Sequence, residues 1–200
     1  REELTIRRNM YWLFSQVFSR EVSELLLESL EQDVWKDFFD SLTCSLDLPR
    51  ENDRAQWLEE TSVEYARLFL GPGKHISPYI GPWLGNSASL WGEEVAELLA
   101  YLRAMGLNIA DSWNGLPSHF CVVLEMIGQL IDHELEQDHL DESFDKIQYE
   151  LLEKFIWPWI EDWQEALVEQ GANHFYENFS SLLCEFLLSE KEYLQGSLEA

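Results

Sequence analysis

Apolar residues recur at helical spacing along almost the whole chain, and this constrains the fold more than any other feature. Ile6, Met10, Leu13, Phe14, Val17 and Phe18 lie three and four residues apart, the spacing that lines one face of a helix. Trp35, Phe38, Phe39 and Leu42 make a second stripe, and Trp57, Thr61, Tyr65, Leu68 and Phe69 a third. Val95, Leu98, Leu99, Leu102 and Met105 make a fourth, which Gly106 should stop as a C-terminal cap. Phe120, Leu124, Ile127 and Ile131 make a fifth, with Pro117 suited to its first turn. A long helical stretch from Asp141 to Val168 is interrupted by Pro158, which should kink or restart it because proline lacks the amide hydrogen. Gly171 and Asn173 then read as a stop and an N-cap before a last helix carrying Phe175, Phe179, Leu182, Leu183, Phe186 and Leu187. No run alternates as a half-buried strand does. The expected fold is all-α: one domain spanning residues 1–200 with about seven to nine helices.

Residues 70–89 break the helical pattern. Gly71, Pro72, Gly73, Pro78, Gly81, Pro82 and Gly85 alternate there with Ile76, Tyr79, Ile80, Trp83 and Leu84. A segment so rich in apolar and aromatic side chains is not a disordered linker. It is expected to be an ordered loop packed on the helices and lining a groove, and it is also the candidate hinge of the chain. Helical proteins with such a hinge occur as monomers or as dimers that exchange elements, and both states are open here.

Charge narrows the partners. The chain carries 13 basic and 38 acidic residues, a net charge of −25. Thirteen acids but only Lys146 and Lys154 as bases lie in the stretch from Asp132 through Glu169. Phosphate and anionic membrane surfaces require the opposite sign, so nucleic acid is not expected as a partner. A strong negative field steers cationic partners inward. The apolar clusters, such as 10–18 and 182–188, are too short and too interrupted for stable membrane insertion, and no signal-peptide pattern opens the chain, so a cytoplasmic location is expected. Cys44, Cys121 and Cys184 are odd in number and widely spaced; they read as small buried apolar residues in a reducing compartment.

A catalytic constellation is hard to assemble. Gly71-Pro72-Gly73-Lys74 lacks the spacing and the preceding strand of a phosphate-binding loop. His133 and His139 flank Glu134, Glu136 and Asp138, but a separation of six residues puts the two rings on different faces of a helix, so no metal site is expected. His119 and Cys121, two apart, do not face one another on a helix, and no activated nucleophile is evident. The nine tryptophans say more. Trp12, Trp35 and Trp57 sit in helical stripes and read as core. Trp83, Trp91 and Trp113 lie in or beside loops, where aromatic side chains serve as interface anchors. Trp157, Trp159 and Trp163 surround Pro158 beside the densest acidic stretch, an arrangement suited to a ligand both cationic and apolar.

Three ordered motifs resemble one family. Tyr65-Ala66-Arg67-Leu68-Phe69-Leu70-Gly71-Pro72, followed by Pro78-Tyr79, Trp83 and Leu90-Trp91-Gly92, resembles the tyrosine-x-x-leucine-phenylalanine helix end and proline-rich aromatic loop of the TorD/DmsD redox-enzyme maturation chaperones. Pro117-Ser118-His119-Phe120 resembles that family's aspartate-histidine motif, with Ser118 at the aspartate position and Gly81 at the place of a loop serine. Trp157-Pro158-Trp159 and His174-Phe175-Tyr176 resemble its late aromatic corner. The resemblance implies an all-helical, cytoplasmic, non-enzymatic chaperone. It would bind the twin-arginine signal peptide and the precursor of a molybdopterin oxidoreductase, assist cofactor insertion and delay export. It implies no obligate cofactor, with GTP as a minor candidate ligand that the net charge disfavours.

Tyr65, Phe69, Pro72, Pro78, Tyr79, Trp83, Trp91, Gly92, Ser118 and His119 are thus the expected signal-peptide residues. Pro78, Tyr79, Trp83 and Trp91 would line the groove, Ser118 and His119 would stand at its edge, and nearby acids would receive the arginines. The competing readings are an acidic protein-binding adaptor or nucleic-acid mimic without signal-peptide specificity, and a small helical enzyme using a nucleotide or a metal.

Overall fold

A computed structural model describes residues 1–33, 35, 38, 39, 46, 48–71, 74–85, 90–109, 113–137 and 142–199. Leu42, Cys44, Pro72, Gly73, Ser89, Asp138, His139 and Asp141 lie outside the described residues. In chain order the helices are α1 (Glu2–Ser19), α2 (Glu24–Leu30), α3 (Arg54–Tyr65), α4 (Gly81–Leu84), α5 (Glu93–Ala104), α6 (Phe120–Glu136), α7 (Glu142–Phe155), α8 (Ile160–Glu169) and α9 (His174–Glu199). A 3-10 turn, Glu51–Asp53, precedes α3, and a π-turn, Ala66–Leu70, follows it. Among the described residues there is no strand, only an isolated antiparallel bridge between Tyr79 and His119. The all-α expectation is borne out. No described helix is long and apolar enough to cross a membrane.

Helix α6 is the centre. Phe120, Cys121, Val122, Val123, Leu124, Met126, Ile127, Gly128, Leu130 and Ile131 are all buried, and a helix apolar on nearly every side must be enclosed by others. Helices α1 and α7 pack on it, and α9 packs against α7 and α8. Gly128 explains how closely α1 approaches: a Cβ there would collide with the Trp12 indole. The expected Pro117 position is corrected, because α6 begins at Phe120 with His119 as its N-cap.

The breaks fall where the backbone chemistry requires them. Pro158 separates α7 from α8, as expected. The indole Nε1 of Trp159 donates to the carbonyl of Phe155 at 2.6 Å, satisfying a group left over at the end of α7. Gly106 and Gly171 have φ of 73° and 63°, left-handed values that favour glycine. The Asn173 side chain accepts from the amide of Tyr176 at 3.1 Å and caps α9.

Two expectations about burial are corrected. Trp12, Trp35 and Trp57 are only half-buried, whereas Trp159 and Trp163 are core residues. The Pro158 turn swings this pair inward, and Trp163 meets Phe18, Phe69 and Phe120 with centroids 5.2, 6.1 and 5.1 Å away. Ile6 is 51% exposed and Met105 41%, so each stripe loses one end residue to the surface. At the other end of the core, Arg7 is buried in a polar network. Its Nε and Nη2 donate to both Glu190 oxygens at 2.8 Å, and Nη2 also donates to Gln148 at 2.7 Å. The Tyr11 hydroxyl donates to Glu190 at 2.8 Å. Burial alone would favour loss of the Arg7 proton, but the bonds and charge of Glu190 outweigh it and hold the guanidinium charged.

Candidate functional site

The proline-rich segment is fastened to the start of α6. After α3, the chain passes through the π-turn, whose wider register sends both Leu68 and Phe69 into the core. The carbonyl of Leu68 accepts from the amide of Ile76 at 2.7 Å, which folds the segment back. Residues 78–80 then pair with 118–120: the Ile80 amide donates to the Ser118 carbonyl at 2.9 Å, and the Phe120 amide to the Pro78 carbonyl at 3.0 Å. Ile76, Pro78, Ile80 and Gly81 are buried beneath this short ladder. Trp83 donates its Nε1 hydrogen to the Ser77 carbonyl at 2.8 Å and stacks on Trp159 at 5.7 Å.

His119 is the hinge pin of this corner. Its ring lies edge-on to Tyr79 at 5.4 Å and to Trp113 at 5.5 Å, and stacks on Phe120. Its Nδ1 accepts from the Cys121 amide at 3.2 Å, the N-cap bond of α6. Only 4% of the residue is exposed. Burial lowers its pKa from an ordinary value near 6.5 to about 3, so the ring is neutral at physiological pH. Burial also pushes the Cys121 thiol well above its ordinary value, while Cys184, half-buried, is pushed up to about 12. Neither is a ready nucleophile.

The expected site residues therefore divide. Tyr65, Phe69, Pro78, Ser118 and His119 are buried and build the corner; the Tyr65 hydroxyl donates to the Phe18 carbonyl at 3.3 Å. Ser118 and His119, expected at a groove edge, and Pro78, expected on its lining, are buried where residues 78–80 pair with 118–120. Tyr79, Trp83 and Gly92 are half-buried, and Trp91 is 61% exposed. Pro72 lies outside the described residues. Glu94 rests against this outer edge: a Cβ at Gly85 or at Gly92 would meet its carboxylate. His133, far from the corner in sequence, is exposed beside Glu136 at 3.7 Å.

A cleft of about 300 Å³ opens beside the corner, lined by Trp12, Ser15, Gln16, Ser19 and Arg20 from α1 and its end, with Trp113 and Glu125. Trp113 joins it to His119. Among the described residues neither Glu94 nor Glu125 takes part in an ion pair. Two indoles, one carboxylate and the Arg20 guanidinium thus share one opening, and the Arg8 guanidinium lies over the Trp12 ring at 4.9 Å. Trp113, one of the loop tryptophans, is half-buried and lines this cleft, whereas Trp12 and Glu125 are brought in by the close approach of α1 and α6. The one available sequence signal is Gly128, a glycine inside an otherwise apolar helix.

The profile of the family described as nitrate reductase delta subunit matches residues 24–165, from α2 to α8. The chain belongs to this family. It is 27% identical over 205 residues to the chaperone protein TorD of Vibrio vulnificus strain YJ016, covering 95% of each chain. It is 27% identical over 207 residues to chaperone protein TorD of Vibrio parahaemolyticus, again covering 95% of each. With chaperone protein TorD of Shewanella oneidensis it shares 25% identity over 210 residues, covering 97% of this chain and 93% of that one. The TorD-family resemblance carried by the motifs is borne out, and chaperone, not enzyme, is the class in which the chain stands.

Proposed function

We propose that this protein is a cytoplasmic chaperone that binds the twin-arginine signal peptide, and with it the apo-form, of a molybdopterin oxidoreductase precursor. Binding would hold the client until its cofactor is inserted and delay its export. The observation that carries the reading is that exposed Trp91 and half-buried Trp12 and Trp113 stand near carboxylates that, among the described residues, take part in no ion pair. Glu94 lies against Gly92, the neighbour of Trp91, and Glu125 lines the cleft of Trp12 and Trp113.

A twin-arginine signal joins two guanidinium groups to an apolar stretch. An indole face attracts a guanidinium by about 0.5–1 kcal/mol at an exposed site, and more where water is excluded. A carboxylate can take the same group in two parallel hydrogen bonds. Trp91, Tyr79 and Trp83 would meet the apolar stretch. The rest of the net charge of −25 speeds encounter more than it tightens the complex. The buried members, Tyr65, Phe69, Pro78, Ser118 and His119, act by holding this geometry and do not touch the guest.

Calorimetric titration with a twin-arginine signal peptide tests the reading. Binding should weaken at least tenfold when both arginines become alanine, and should weaken as salt rises. Trp91→Ala and Glu125→Gln should each reduce affinity without changing the thermal unfolding midpoint. Equal affinity for the arginine and alanine peptides would overturn the electrostatic half. Undiminished binding by a chain carrying both Trp91→Ala and Glu125→Gln would overturn the placement.

A further inference from the structure

Away from the corner, α1 and α9 form a second opening. Two clefts, of about 370 and 230 Å³, adjoin there and share Ile6, Met10 and Phe38. Leu182 and Phe186 of α9 complete the apolar wall of the larger. Ile6 belongs by sequence to the buried stripe of α1 yet stands 51% exposed over this opening. The floor is held in place, because Arg7 is bonded to Glu190 through two hydrogen bonds and packs over the Tyr193 ring at 4.1 Å. The rim is acidic. Glu3 and Glu185 line the larger cleft and are exposed, and among the described residues neither is in an ion pair.

We propose that this α1–α9 groove is a docking site for a basic amphipathic helix of a partner protein. An apolar trough between two helices accepts a third helix through side chains at i, i+3, i+4 and i+7. The rim decides the sign of the guest. The Arg7 charge is engaged by Glu190, so Glu3 and Glu185 leave the opening net negative. An anionic helix or an anionic lipid surface would meet like charge. A second copy of this chain, itself at −25, would do the same. Lysine or arginine flanking the apolar stripe of the guest would complement both rim carboxylates. The site shares no lining residue with the Trp12–Trp113 cleft and stands whether or not that cleft binds signal peptides.

The probe is a fluorescein-labelled 18-residue leucine–lysine amphipathic helix, read by anisotropy against the full chain. Its counterpart has the same leucines and glutamate in place of lysine. Ile6→Asp and Glu185→Lys, both at exposed positions, should each weaken the lysine peptide at least tenfold. Val63→Asp, an exposed apolar position on α3 with the same charge change as Ile6→Asp, should leave it within twofold. The glutamate peptide should not bind. Equal effects of Ile6→Asp and Val63→Asp would reduce the binding to general charge and overturn the proposal. So would binding of the glutamate peptide, or light scattering in which Ile6→Asp turns a dimer into a monomer.

Discussion

Replacing His119 with asparagine should change how stability depends on pH. In the folded protein the ring is 4% exposed and its pKa is lowered by burial to about 3. In the unfolded chain it titrates near 6.5. A group whose pKa is depressed by folding contributes stability above its unfolded pKa, and loses that contribution as pH falls. The affected window therefore runs from about pH 6.5 down to about pH 3. At pH 5 the unfolded chain has taken up the proton and the folded chain has not. The difference is roughly 1.5 pH steps, or about 2 kcal/mol at 1.36 kcal/mol per step. Asparagine is a good N-cap, so the capping of α6 is largely kept, and the cavity left by the ring costs the same at every pH. Urea unfolding of both proteins at pH 7.5 and pH 5 isolates the histidine. The wild type should lose about 2 kcal/mol more than His119→Asn between the two. Parallel losses would mean that His119 titrates normally, and so that water reaches the corner that the 78–80 ladder is argued to seal.

Other substitutions test other joints of the fold. Glu190→Ala would leave the Arg7 guanidinium buried without its partner, and should destabilise by about 3–5 kcal/mol in urea unfolding at pH 7, whereas Glu185→Ala on the surface of α9 should change stability by less than about 0.5 kcal/mol. Gly128→Ala drives a methyl group into the Trp12 indole and should cost about 1–3 kcal/mol, with a shifted tryptophan emission maximum as α1 moves off α6. Trp163→Ala opens the ring cluster of Phe18, Phe69 and Phe120, and should cost about 3–5 kcal/mol by thermal or chemical unfolding.

The helices are legible in the sequence because their signals are local. The stripe of α1, the Gly106 and Gly171 stops, the Asn173 cap and the Pro158 break each depend on residues within a turn or two. The motifs that point to the family are likewise short and ordered. The depth of the site is not local. Ser118 and His119 are buried by a ladder to residues some 40 positions earlier in the chain, and nothing beside them announces it. The tryptophans show the same limit: Trp12 follows the helical stripe as well as Trp163 follows its own, and only the packing of Gly128 and the Pro158 turn decides which ring reaches the core. Glu125 illustrates it again. It is one acid among 38, and becomes distinctive only when the packing of α1 on α6 puts it in one cleft with two indoles. Ile6 conforms to its stripe and is nevertheless left open at the α1–α9 groove.

The proposed grip on the client runs through its leader. Co-expression with a molybdoenzyme precursor, with and without its twin-arginine leader, measures this directly when the amount of precursor retained on the tagged chaperone is quantified. The full precursor should be strongly retained, with at least a tenfold drop when the leader is deleted or its two arginines become alanine, and a similar drop in a Trp91→Ala, Glu125→Gln chaperone. Retention that is indifferent to the leader would contradict that grip.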